Sequence, residues 1–203
     1  WSLTSNPNWV YLSSIKPKTR KVRMKKQLLR NAIRLHAMWL SNETGGERIR
    51  ASDVSSFADL SNESLSHGML MGANLRYAKM RRATFVQASL HNANMKYGDL
   101  VKANLNGAWM RCANLDECDL TEASLVNTCL EGADMRSAKL WGADLRYADL
   151  RRSNLSNANL LCADLRDADL RGAKLDGALI HKDAIKWAFV DKTALRKAVL
   201  IEC

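Results

Sequence analysis

Proline occurs only twice in 203 residues, at Pro7 and Pro17, so no proline-rich linker interrupts the rest of the chain. No apolar run approaches the ~18 residues of a membrane span. The chain therefore reads as soluble. Five cysteines (Cys112, Cys118, Cys129, Cys162 and Cys203) are an odd number and show no CxxC spacing, which argues for reduced thiols rather than a disulfide framework. Aromatic residues are 6% of the composition. No glycine-rich phosphate loop, HExxH or GxSxG is present, which removes the commonest sequence signs of nucleotide, zinc-protease and serine-hydrolase chemistry. The four histidines, His36, His67, His91 and His181, are scattered and suggest neither a metal set nor a nucleophile pair. No catalytic residue, cofactor or metal is expected.

The net charge of +10 is unevenly placed. Residues 1–55 hold 11 Lys and Arg against 3 Asp and Glu, residues 56–180 hold 15 against 15, and residues 181–203 hold 5 against 3. The long middle is neutral and the basic character sits near the N-terminus. The sequence begins with Trp1, the reading of a processed chain or of a start inside a longer frame.

That neutral middle carries a strict period of five. Every residue number divisible by five from Leu60 to Ile180 is apolar, 25 positions in all: 19 Leu, four Met, Phe85 and Ile180. Two residues before each, 19 of the 25 are Ala, and the intervening position is Asn or Asp 14 times, giving A-[N/D]-L-x-x. A helical period does not match a step of five, so the leucines would wind around a helix and bury no consistent stripe. In extended backbone, residues two apart share a face, so Ala and Leu point inward and Asn or Asp points out. The two x residues must then turn a corner, and Gly72, Gly107, Gly132, Gly142, Gly172 and Gly177 at the second x suit such turns. Four corners close a square coil of four repeats, and six coils stacked at ~4.8 Å make a rod of roughly 30 Å.

On this pattern the chain resembles the pentapeptide-repeat family, over Leu60 to Ile180. The resemblance implies an all-β solenoid, a right-handed quadrilateral β-helix of about six coils. Residues 1–55 are expected to form a basic arm and an amphipathic helix, 56–180 the β-helix, and 181–203 a C-terminal cap with a short helix.

In residues 22–40 the helical stripe is read as Leu28, Ala32, Leu35 and Trp39, with Leu29, Ile33 and Leu40 beside it and Lys25, Lys26, Arg30 and Arg34 turned away. Residues 4–21 read as an extended arm, and Gly45–Gly46 as a break. At the other end, Asp191 and Thr193 start a short helix, with Trp187 and Phe189 covering the last coil.

Stacking places residue n beside n+20. One column then holds Arg111, Glu131, Arg151 and Arg171, and another Trp141 and Leu161, with Leu179 nearby. Apolar residues at outward positions need a cover, either the C-terminal segment or a partner. Trp109 is an outward anchor of the kind found at binding hot spots, while Tyr77 and Tyr97, one coil apart, are expected to stack.

The partner-binding candidates are therefore Trp109, Trp141, Leu161, Leu179, Arg151 and Arg171, with Lys16, Lys18, Arg20, Lys21, Arg23, Lys25 and Lys26 acting through charge. The reading is a non-catalytic interaction scaffold, a subunit of a larger protein assembly in a reducing compartment. The family's occurrence in cyanobacteria and plastids implies an organellar or photosynthetic setting. Two alternatives stand beside it: a DNA mimic acting on a topoisomerase, disfavoured by the neutral repeats, and contact of the basic arm with nucleic acid or a membrane surface.

Overall fold

The computed structural model describes residues 17–202, with side chains from Gln27 onward. Helix α1 (Pro17–Leu40) is followed by a 3-10 turn (Ala51–Asp53), strand β1 (Leu179–His181), helix α2 (Lys192–Leu195) and strand β2 (Val199–Ile201). Between the 3-10 turn and β1 the chain advances in five-residue steps, each a turn followed by one bridge residue. The bridges are parallel and, after an entry bridge Arg50↔Met69, join each residue n to n+20, in four columns that run on from Asp59↔Lys79, Ser64↔Thr84, Met69↔Ser89 and Asn74↔Asn94. This is a four-sided β-helix with one leucine-type residue from each side filling its centre, and those side chains are fully buried from Leu60 through Leu170.

One repeat shows why five residues suffice, since every backbone N–H finds an acceptor. Asp99 N–H donates to Ala78 O (3.0 Å) and Leu100 N–H to Asp119 O (2.7 Å), which ties the coil to both neighbours. Lys102 N–H reaches Thr121 O (3.0 Å), and Ala103 N–H closes the turn onto Leu100 O (2.9 Å). The fifth, Val101 N–H, donates to the Asp99 side chain at 3.3 Å. An outward Asn or Asp thus supplies the one acceptor that the backbone does not.

The second turn residue is left-handed without exception. All 25 positions from Phe57 to Gly177 have φ between 53° and 73°, and only six of them are glycine. None is Val, Ile or Thr, whereas Val86, Val101, Thr121 and Val126 occupy the first turn position. Branching at Cβ is tolerated before the left-handed residue and not on it.

At the N-terminal end the structure corrects two readings. Helix α1 starts at Pro17, so residues 17–21 are helical rather than extended; proline suits a first helical turn, where its missing N–H has no intrahelical partner to lose. Residues 1–16 lie outside the described residues. The buried face is also rotated from the stripe read in the sequence: Leu29, Ala32 and Ile33 pack on the core, while Leu28 is 65% exposed.

His36 sets that rotation. It is fully buried; its Nδ1 accepts Ile49 N–H (3.2 Å), which leaves the proton on Nε2 to donate to Ser66 O (2.9 Å). The chain then turns back at Gly45–Gly46, where a Cβ on Gly46 would come within 2.3 Å of the Trp39 backbone nitrogen.

The C-terminal end differs too. The five-residue spacing continues through Ile185, Val190, Leu195 and Leu200, which are partly buried against the core. Asp169↔Phe189 and the parallel β1–β2 pairing stack this segment as a further layer. Trp187 and Phe189 do not cover the last coil: they are 70% and 58% exposed. The same alternation explains why, since 187 is a turn position and 189 an outward one. Asp191 precedes the single turn α2 but accepts Gly172 N–H (2.7 Å) instead of capping it.

Two expectations follow from these features. Arg82→Val should lower stability by about 1–3 kcal/mol, the range for a residue held in a sparsely populated backbone region, and Arg81→Val by less than about 1 kcal/mol, the range of an exposed ion pair such as Arg81–Asp99; denaturant unfolding of the two variants decides it. The second concerns pH. Burial, and then the positive charges of Arg48 and His67, push the His36 pKa below 6.5 against the opposing Ser66 hydrogen bond. Unfolded chains protonate His36 near 6.5 and the folded one at lower pH, so its contribution is complete above about 6.5 and is lost as pH falls toward the folded value. Hydrogen exchange at Ile49 should quicken, relative to its intrinsic rate, across that window in the wild type and lose the dependence in His36→Gln.

Candidate interaction surface

The outward middle position has a structural task, and all 14 Asn and Asp residues there perform it, from Asp59 to Ser61 N–H through Asp169 to Arg171 N–H. One column forgoes it over four successive coils, with Met69, Ser89, Trp109 and Cys129 in its place. Met69 is 49% exposed and Trp109 55%. An indole, which has no acceptor, cannot supply the turn with the hydrogen bond that a carboxamide or carboxylate gives there.

The surroundings of that column are unusual in charge. Residues 64–69, 84–89, 104–109 and 124–129 stack as two adjoining sides over four coils, and none of them is Asp, Glu, Lys or Arg, in a chain that is 26% charged. Across this patch and into the next coil, where Asp149 adds a carboxylate, runs an open groove of about 580 Å³ lined by His67, Gln87, Gly107, Ala108, Trp109, Asn127, Thr128, Cys129, Tyr147 and Asp149. Gly107, at φ 65°, leaves the middle of the groove without a side chain. The His91 ring stands 6.2 Å from the Trp109 ring and supports it from outside. Tyr147, 58% exposed, forms the far wall.

The residues singled out in the sequence do not converge on one site. Trp141, 46% exposed, and Leu161, half-buried, stack in successive coils beside the side that carries Leu179. Strand β2 pairs with β1 as the next layer, placing Val199 beside Leu179, and Trp141 stays exposed. Trp109 lies half a coil from this group in register, on the opposite side of the rod.

Arg151 and Arg171 are held by neighbours. Arg151 forks onto Asp149 (2.7 and 2.6 Å) and Arg171 onto Asp169 (2.9 and 2.5 Å), and each guanidinium holds its carboxyl below the ordinary range. Arg146 does the same with Asp144, and Arg166 with Asp164. These i, i+2 forks give a self-neutralised surface.

Lys16 lies outside the described residues. Lys18, Arg20, Lys21, Arg23, Lys25 and Lys26 fall in the N-terminal part of α1, and their side chains are likewise outside the described ones. Tyr77 and Tyr97 stack at 4.7 Å, and Phe57, which the sequence reading overlooked, extends the stack at 4.9 Å.

Sequence reasoning found Trp109 but missed Gln87, Asn127 and Tyr147. The available signal was the charge-free stretch, visible only after the sequence is stacked coil upon coil. Among the described residues no group of His, Cys, Asp or Glu is arranged to hold a metal ion, and no helix is long and apolar enough to cross a membrane.

The thiols give a chemical test of this arrangement. Cys112 and Cys162 are exposed, while Cys118 is buried, donates to Met95 O (2.9 Å), and is pushed by burial up to about 12. Alkylation followed by mass spectrometry should label Cys112 and Cys162 first and leave Cys118 unmodified until the protein unfolds.

The sequence model described as pentapeptide repeats matches in 8 copies, over residues 70–107, 99–136 and 133–172. Among solved structures, a pentapeptide repeat protein of the Arabidopsis thaliana thylakoid lumen is 24% identical, with 63% of this chain and 66% of that one covered and a TM-score of 0.34. HetL, a pentapeptide repeat protein involved in heterocyst differentiation regulation in the cyanobacterium Nostoc, is 26% identical, covering 75% of this chain and 81% of its own, with a TM-score of 0.34. A pentapeptide repeat protein from the cyanobacterium Cyanothece is 26% identical over 68% of this chain and 86% of its own, with a TM-score of 0.37. No curated protein matches. With the family's sequence model matched from residue 70 to 172, half of the chain, the protein belongs to the pentapeptide-repeat family.

Proposed function

We propose that this protein is a non-catalytic protein-interaction scaffold, a structural or assembly subunit of a larger complex. In this reading residues 56–180 form a right-handed four-sided rod of about six coils, residues 1–55 a basic arm and amphipathic helix, and residues 181–203 a C-terminal cap with a short helix. The observation that carries it is the column of Trp109, where four coils in succession forgo the Asn or Asp that most turns use, beside a stretch of four coils without Asp, Glu, Lys or Arg. Exposed aromatic anchors in surroundings poor in charge are what protein interfaces use at their centres. The basic arm adds a long-range, salt-sensitive attraction toward an acidic partner.

A DNA-mimic role is disfavoured, because the repeats carry 15 cations against 15 anions. The forks Asp144–Arg146, Asp149–Arg151, Asp164–Arg166 and Asp169–Arg171 cancel charge locally rather than building a negative field.

Affinity capture from the native source tests the reading, with melting of each variant as the folding control. Trp109→Ala should abolish capture at every salt concentration. Deleting residues 1–23 should weaken it mainly at low salt, since exposed charge is screened over ~8 Å at physiological ionic strength. Undiminished capture by folded Trp109→Ala would remove this face from the interaction.

A further inference from the structure

We propose that helix α1 is an acid-released latch on the N-terminal end of the rod: a proton added to His36 breaks its bond to Ile49 and lifts the helix from the first coil. This motion belongs to the fold itself and is independent of what the outward faces bind.

The helix covers an end of the core. Asp59 and Ser64 open their columns, so Leu60 and Leu65 have no coil before them, yet both are fully buried. Leu29, Ala32 and Ile33 of α1 pack against that core. Lifting the helix therefore uncovers leucines.

The fastening is concentrated in the last turns of α1. Among the helix side chains from Gln27 onward, His36 alone is fully buried. Both of its ring nitrogens are committed outside the helix, Nδ1 accepting Ile49 N–H (3.2 Å) and Nε2 donating to Ser66 O (2.9 Å). Close by, Glu47 N–H donates to Leu35 O (3.0 Å), and Arg48 donates to His67 O (3.1 and 2.6 Å) with its guanidinium 4.9 Å from the centre of the Trp39 ring. Residues 41–46 between helix and latch supply the hinge, with Gly45 at φ 83°.

A neutral imidazole fits this arrangement and an imidazolium does not. The neutral ring has one donor and one acceptor, as the two contacts require. With both nitrogens protonated, Nδ1–H points at Ile49 N–H, and a charge sits in a buried site. The charged and titratable groups that face the ring are Arg48, from the segment after the helix, and His67, from the first coil, and both oppose a positive ring. Arg30 and Arg34 of α1 itself are exposed. Burial, and then those two neighbours, hold the His36 pKa below 6.5 in the closed state, whereas a ring released into water regains its ordinary value. Falling pH thus favours the open form. The helix opens before the coils because it is held at one end of the rod, while each inner coil is laddered on both sides.

Hydrogen exchange of the full chain between pH 5 and 8, the range in which an ordinary histidine changes charge, tests the latch once intrinsic rates are divided out. Helix amides from Ala32 to Ala37 should lose protection together with Ile49, beginning near pH 6.5 and by up to about tenfold per pH unit, the limit for one proton. Leu100 and Leu120 should keep theirs. A dye that fluoresces on apolar surface should bind over the same window, as Leu60 and Leu65 open. His36→Gln, whose amide donates and accepts but does not titrate, should flatten the response, and His67→Gln should retain it. Exchange at Ile49 without the helix amides is a broken bond and no release, and overturns the proposal. So does a response that survives in folded His36→Gln, one that His67→Gln removes, or a loss of protection shared by every coil. Should His36→Gln not fold, the imidazole resonances of the wild type decide: a His36 ring that takes up its proton while α1 stays protected sinks the latch.

Discussion

The rest of the structure depends on a single backbone event, the turn in which an Ala N–H bonds back to the preceding Leu carbonyl with a left-handed residue between them. Repeated in every repeat, it rotates the chain by a quarter turn and returns it to its own register after four steps. Only then do the parallel ladders form, and only then do leucines from four sides meet at the axis. Each coil has no core of its own, so stability is shared between neighbours. Nineteen non-glycine residues accept positive φ because the ladders on both sides leave them no alternative. Local preference is overruled by cooperative hydrogen bonding, yet it still shapes the sequence by keeping branched residues out of those positions.

The same turn shows which outward residues have a structural task. It leaves one N–H per repeat to be satisfied from the side, and Asn or Asp at the outward middle position does so. A residue of that type needs no further explanation, however charged the surface becomes, and the arginines two positions on complete the explanation through their forks. Trp109 is informative for the opposite reason: it occupies a position with a structural duty it cannot perform. Met69, Ser89 and Cys129 share that column, so the loss is a property of a face and not of one residue.

How much the sequence disclosed follows from this logic. The leucine columns, the outward carboxamides, the left-handed glycines and the Tyr77–Tyr97 stack were all legible, because a rigid period converts residue number directly into position. Legibility failed where the period no longer governs. On α1 hydrophobic spacing placed Leu28 on the buried stripe, where it is exposed, and missed the buried His36, whose two hydrogen bonds tie the helix down; Leu35 and Trp39 of that stripe are half-buried, as are Leu29 and Ile33. Trp187 and Phe189 were misjudged for a different reason. Large aromatics near an end suggest a lid, but the period had not stopped, and it assigns residues 187 and 189 to the outside. In the groove, Trp109 was visible as one exposed aromatic, but Gln87, Asn127 and Tyr147 are unremarkable in linear order and acquire meaning only as coil neighbours.

A solenoid of this kind also restricts what its surface can recognise. Its side chains stand on a lattice with an axial step fixed by the inter-strand hydrogen bond and cannot be moved by loop remodelling, since the described repeats contain no insertion between Leu60 and Ile180. Recognition along the axis is then a question of commensurability, and a ligand whose own repeat mismatches the lattice loses contacts in proportion to its length. A mobile loop can adjust to an imperfect partner; a coil face selects by spacing before it selects by chemistry. That makes alternation from coil to coil, large with small or amide with glycine, the variable by which such a face can encode a preference. The column Met69, Ser89, Trp109, Cys129 varies in this way, whereas the column Asn74, Asn94, Asn114, Asp134, Asn154 keeps to the structural residue over five coils before it reaches Lys174.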